Sequence, residues 1–166
     1  MKYIYRLLFY PMRGYWFFLR PQVKGTGVII ERDGRLLMVR QTYGNLQLWH
    51  FPGGGMKPKE NPQTAAKREI KEETGLAIDH LKKLGEIEVI DYHRKVSSTC
   101  FYAIMSTGTV IPQRSEIEEF RWWMVADLPV NLMSPVAKAY LRLYLKNTGP
   151  IISKQRLARH LAAQDS

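Results

Sequence analysis

The 166-residue chain has one cysteine, Cys100, so no internal disulfide can staple it. That usage fits a reducing compartment and predicts a cytoplasmic protein. Cys100 itself falls in a strand-like run and reads as a small buried hydrophobe. Neither His50 nor His93 has metal-ligand spacing to another His or to Cys100, so both are read as structural. Long apolar runs are missing as well. The most apolar region, residues 1–20, is broken by Lys2, Arg6, Pro11, Arg13 and Arg20. Its uncharged runs, residues 7–12 among them, are far short of the roughly 20 residues that a spanning helix needs. An apolar core followed by a small-residue cleavage site is also absent, which argues against a signal peptide. No internal repeat, low-complexity tract or long linker divides the chain.

Acidic residues are the minority charge: 15 Asp and Glu stand against 25 Lys and Arg, a formal +10. Such a balance favours phosphate-rich partners or anionic lipid surfaces, or it serves only to keep the protein in solution. Apolar residues at 45% and charged residues at 24% are ordinary for a globular protein. The length suits one domain, expected at residues 23–148, with an aromatic and basic extension at 1–22 and a basic tail at 149–166. Two readings of the extension stand. In one it is an interfacial anchor, with Trp16, Phe17, Phe18 and Leu19 in lipid and Arg13 and Arg20 at the headgroups. In the other it packs on the domain or on a second subunit, as in a homodimer.

From Val23 the pattern turns strand-like. Val28, Ile29 and Ile30, then Asp33-Gly34, then residues 36–39 predict a hairpin. Residues 41–47 read as a loop and 48–51 as a short strand that leads into Pro52 and three glycines. Asn61-Pro62 and Gly75 carry the start and stop signals of a helix over residues 62–74. Strand-like runs follow at 84–90, 96–105 and about 116–124, and Val136, Tyr140, Leu143 and Tyr144 have helical spacing within 135–146.

The helix at 62–74 carries Glu69, Glu72 and Glu73. At about 100° per residue, Glu73 lies about 40° and Glu72 about 60° from Glu69 on opposite sides, so all three share about a 100° arc. Ala65 and Ala66 lie on or beside that arc and are small enough to leave room for a ligand. Carboxylates so placed repel unless a cation sits among them, and Mg²⁺ takes oxygen ligands of this kind. Alternatively, they form a solvated face paired with Lys67, Arg68 and Lys71. The glycines just before the helix can offer backbone amides and a carbonyl to a phosphate or a metal.

The sequence Gly54-x5-Glu60-x7-Arg68-Glu69-Ile70-x-Glu72-Glu73-x-Gly75-Leu76 resembles the Nudix box, the signature of the Nudix (MutT-like) hydrolases, at every specified position. The box covers residues 54–76, and the strand order around it resembles the family's too. The resemblance implies an α/β fold, an α/β/α sandwich with a central mixed β-sheet. It also implies divalent-metal-dependent hydrolysis, with Mg²⁺ or Mn²⁺, of a diphosphate bond in a nucleoside diphosphate linked to a group X. By the same resemblance Glu72, Glu73 and the Gly53 carbonyl are metal ligands, and Glu69 binds metal or acts as base. Arg68 holds a box glutamate in place, and Glu60 is its electrostatic partner. Residues 116–122 resemble a second family stretch from which a further glutamate approaches the metals, and Glu119 is the expected one.

Substrate contacts lie outside the box. Arg40, Trp49, Gly54 and Gly55 are the expected substrate-binding residues. Tyr43, Trp122 and Trp123 are further stacking candidates, and Arg94 and Lys95 are candidates for a distal phosphate. The substrate expected is a small nucleotide. A 5′-triphosphate RNA end is the alternative that the +10 charge favours. A non-catalytic nucleotide-binding module held by residues 1–22 is the alternative of another class.

Overall fold

The computed structural model describes residues 22–43, 47–91 and 93–148. The anchor or subunit contact expected of residues 1–20 and the basic tail at 149–166 lie outside the described residues. Among those described, no helix is long and apolar enough to cross a membrane.

The expected hairpin forms from β1 (Gln22–Arg32) and β2 (Arg35–Gln41). Asp33 and Gly34 have φ of 50° and 71°, the two positive values that a type I′ turn requires. The chain continues through β3 (Trp49–His50), β4 (Gly53–Gly55), α1 (Pro62–Thr74), β5 (Lys82–Asp91), β6 (Arg94–Ile104), β7 (Ile117–Met124) and α2 (Pro135–Thr148). The glycines expected as a loop are thus a three-residue strand. β4 runs antiparallel to β1, pairing Gly27 with Gly53 and Thr26 with Gly54.

β1 is the hub of a mixed sheet. It lies parallel to β6 and antiparallel to β2 and β4, while β5 pairs with β6, and β3 and β7 both pair with β2. Period-2 alternation sends neighbouring side chains to opposite faces. Val28, Ile30, Leu37, Phe101 and Ala103 meet Ala66 and Ile70 of α1 on one face. Ile29, Leu36, Met38 and Cys100 meet Ala137, Tyr140, Leu141 and Tyr144 of α2 on the other. Cys100 is fully buried, and burial pushes its thiol up from its ordinary pKa, in keeping with a structural role. The result is an α/β/α sandwich in which β4, paired with β1, lies against α1.

Candidate active site

α1 begins and ends where its capping residues dictate. Asn61 has extended backbone (φ −72°, ψ 137°) and its Oδ1 accepts from the Gln63 N–H at 2.8 Å, while Pro62 opens the helix without wasting a donor. Gly75 takes the left-handed conformation (φ 71°) that stops the helix, and its N–H donates to Lys71 O. The buried face comprises Ala65, Ala66, Ile70, Glu73 and Thr74. Ala65 and Ala66 therefore do not leave room for a ligand. They are fully buried, and their small size lets the helix lie close on the sheet, so that the acidic arc and the packing face overlap.

That overlap buries a carboxylate. Glu73 is 3% exposed, and the Gly53 N–H donates to its Oε2 at 2.8 Å. Burial raises its pKa from 4.5 to about 8 against that hydrogen bond, and Glu69, Glu116 and Glu72 add repulsion. Glu69 lies against β4. A Cβ on Gly54 would stand 2.5 Å from Glu69 Oε2, so a larger residue there would displace the Glu69 carboxylate.

Arg68 is the cation of this face. Its Nε and Nη2 donate to the two oxygens of Glu60 at 2.9 and 2.8 Å, its Nη1 to Glu69 at 2.6 Å and to Glu72 at 3.1 Å, and its Nη2 also to Gly55 O at 3.1 Å. The hydrogen bonds from Arg68 hold the Glu60 carboxyl down to about 2. Among the described residues no three His, Cys, Asp or Glu side chains are arranged as they stand to hold an ion. Glu69 and Glu72 face the guanidinium instead.

A fourth carboxylate, that of Glu116, interacts electrostatically with Glu69, Glu72 and Glu73. Burial raises its pKa, and Glu69 and Glu72 raise it further. Glu119 does not join them. It is ion-paired with Arg40 and, at 2.7 Å, with Arg121, whose guanidiniums lie near the rings of Trp49 and Trp123 on the α2 side of the sheet. Phe120 and Trp122 pack on the α1 side. Strand alternation therefore turns Glu119 to the face opposite the carboxylates.

Two expected substrate residues are likewise committed elsewhere. Trp49 is 5% exposed and meets Trp123 edge-on, with centroids 5.6 Å apart, so its faces are not offered to a base. Arg40 is held by Glu119. Gly54 and Gly55 do line a cavity of about 220 Å³ beside β4, shared with Tyr43, Arg94, Ser98 and Tyr140. Asp91 lines it too, 3.6 Å from Arg94. His50 also borders it, and burial draws its imidazole down to about 4, leaving it neutral at pH 7. Tyr43 links cavity and carboxylates: burial raises its phenol pKa, and Glu73, Glu116 and Glu69 add to the effect.

Fold and site together define an α/β/α sandwich whose helix sets three glutamates beside a glycine strand, and that strand lines a cavity of mixed polarity. The NUDIX domain model matches residues 21–144. The RNA pyrophosphohydrolase of Bartonella bacilliformis is 28% identical over 152 residues, covering 76% of this chain and 89% of that protein. The RNA pyrophosphohydrolase of Saccharophagus degradans is 43% identical over 67 residues, 40% of this chain and 37% of that protein. The crystal structure of a MutT NUDIX hydrolase from Burkholderia pseudomallei superposes with a TM-score of 0.68 at 25% identity, covering 74% of this chain and 97% of that one. The chain belongs to the NUDIX family and is a hydrolase that acts on phosphorus-containing anhydrides.

Proposed function

We propose that the protein hydrolyses the diphosphate bond of a nucleoside diphosphate linked to a further group, and that it requires a divalent metal ion. One observation carries this reading: a buried carboxylate, Glu73, stands among Glu69, Glu72 and Glu116, which raise its pKa further. Such repulsion is relieved by a cation, and an all-oxygen donor set suits Mg²⁺ or Mn²⁺. Glu69, Glu72, Glu73 and the Gly53 carbonyl would hold it, with Glu69 and Glu72 turning from Arg68. The bound ion would neutralise the diphosphate and bring a water pKa towards neutrality.

Glu116 takes the proton of the attacking water. Burial, Glu69 and Glu72 raise its pKa, which makes it a stronger base than an ordinary carboxylate, whereas Glu69 would be occupied as a ligand of the ion. Arg68 positions Glu69, and Glu60 positions Arg68 through two parallel bonds. A screen of nucleoside triphosphates, nucleotide sugars, ADP-ribose, dinucleoside polyphosphates and 5′-triphosphate RNA tests the reading. Phosphate or pyrophosphate release should require Mg²⁺ or Mn²⁺ and vanish with EDTA. The Glu73→Gln variant should lose most of it, and unchanged turnover in that variant would overturn the assignment.

A second reading makes the 5′ end of RNA the substrate. It is favoured by the relatives named RNA pyrophosphohydrolase and by the formal +10. The KM for 5′-triphosphate RNA should then rise steeply between about 50 and about 200 mM salt, while that for a free nucleotide moves much less. Equal salt dependence for both would remove RNA as the preferred substrate.

A further inference from the structure

Glu116 lies on no regular element, just before β7 and at the same alternation as Phe120 and Trp122, which face α1. The strap that delivers it, residues 111–116, is fixed at both ends. At the start, the Ile111 N–H donates to Thr74 O at 2.8 Å and the Gln113 N–H to Glu73 O at 3.0 Å. These are carbonyls at the C-terminal end of α1, which have no acceptor role within the helix. At the far end, the N–H groups of Glu116 and Ile117 both donate to Gln113 O, at 2.9 and 2.8 Å.

The remaining two bonds of this end come from Thr42, the residue just after β2, the strand paired with β7. The Thr42 N–H donates to Glu116 O at 2.8 Å, and Thr42 Oγ1 donates to Ser115 O at 2.8 Å. Those two carbonyls belong to the peptide planes on either side of the Glu116 Cα. The orientation of both planes fixes φ and ψ of Glu116, and with them the direction of its Cβ. Thr42 is fully buried, so water does not replace its hydroxyl. Any residue but proline supplies the N–H at this position, but only Thr or Ser supplies a hydroxyl for the second bond without added bulk.

We propose that Thr42 is a positioning residue: its hydroxyl and N–H clamp both peptide planes that flank Glu116 and so aim that carboxylate at Glu69, Glu72 and Glu73. The proposal rests on Glu116 serving as the base. The bulge between Arg40 and Gln41 in the β2–β7 pairing is what brings Thr42 opposite residues 115 and 116.

Kinetics of the full chain test this, with metal-dependent release of phosphate from the most active compound of the screen as the probe. Misaim by a fraction of an ångström costs catalysis rather than binding, so Thr42→Val should lower kcat about tenfold with KM within about twofold. Thr42→Ser should stay within about threefold of wild type. In a Glu116→Gln background the Val substitution should cost less than about twofold, because the group it aims is already gone. If Thr42→Val does not fold, Thr42→Ala removes the same hydroxyl and carries the same comparison. A slow Glu116→Gln enzyme beside a Thr42→Val enzyme with wild-type kcat would overturn the positioning role alone. So would a full tenfold loss from Thr42→Val in the Glu116→Gln background. Wild-type kcat in Glu116→Gln would overturn the base assignment and this proposal together.

Discussion

Glu73→Gln should change how stability depends on pH in protein stripped of divalent metal. Folding raises the Glu73 pKa from 4.5 to about 8, chiefly by burial. Between those values the folded protein holds a proton that the unfolded chain has lost, so folding takes up a proton and stability falls as pH rises. The contribution is fully present below pH 4.5 and is lost on the way to pH 8. At about 1.4 kcal/mol per pKa unit the span corresponds to a ceiling of about 5 kcal/mol. It is a ceiling because an ionised carboxylate can draw in water or a cation. Glutamine stays neutral, and its Oε1 can still accept from the Gly53 N–H, so the variant lacks this slope. Urea midpoints of both proteins from pH 5 to 8 in EDTA, subtracted from one another, isolate the effect from other titrating groups. Returning Mg²⁺ or Mn²⁺ at pH 8 should stabilise wild type by about 2.7 kcal/mol at a concentration of about 100 times Kd, and leave the variant unmoved. Parallel pH curves for the two proteins would refute the reasoning.

Gly54→Ala places a Cβ 2.5 Å from Glu69 Oε2, whereas Gly55→Ala meets nothing within 4 Å. The first should lower kcat between about tenfold and about a hundredfold, and the second should keep activity within about threefold, both read by steady-state kinetics. Glu119→Ala breaks a pair on the α2 side of the sheet, so its kcat should match wild type and its urea stability should fall by about 1 kcal/mol or less. Arg68→Lys keeps the charge but loses the fork that holds both oxygens of Glu60 and reaches Glu69. Its kcat should fall about tenfold, and a lysine enzyme with wild-type kcat would show that charge alone suffices.

The parts of the site that were legible in the sequence are local ones. Asn61, Pro62 and Gly75 are capping signals read within a few residues of the helix they bound, and the helix observed is Pro62–Thr74. The phasing of Glu69, Glu72 and Glu73 needs only the helical period. That the Glu73 edge of this face is buried did not follow from the phasing, because Ala65 and Ala66 serve equally as open space or as close packing. Glu116 was out of reach for a different reason. Its place depends on a bulge in β2–β7 pairing and on a strap bonded to the end of α1, contacts between residues far apart in sequence. The face of Glu119 was within reach: Phe120 and Trp122 mark the α1 side of β7, and alternation puts residue 119 opposite. Trp49 and Arg40 look like ligands in a sequence because aromatic and cationic side chains serve both cores and sites. Only their pairing with Trp123 and Glu119 decides which.

The distribution of positive charge around the four carboxylates indicates where a cation is most needed. Glu69 and Glu72 already share the Arg68 guanidinium, at 2.6 and 3.1 Å. Glu73 has a backbone N–H and full burial, and Glu116 is partly buried beside Glu69 and Glu72. An arginine placed on the Glu60 side therefore leaves the unbalanced charge on the side of Glu73 and Glu116. That is also the side on which Tyr43 borders the cavity, since its phenol responds first to Glu73 and then to Glu116 among its charged neighbours. An anionic diphosphate near these carboxylates would be repelled without a metal and drawn in with one. Substrate binding and metal binding should on this ground be strongly coupled, each favouring the other.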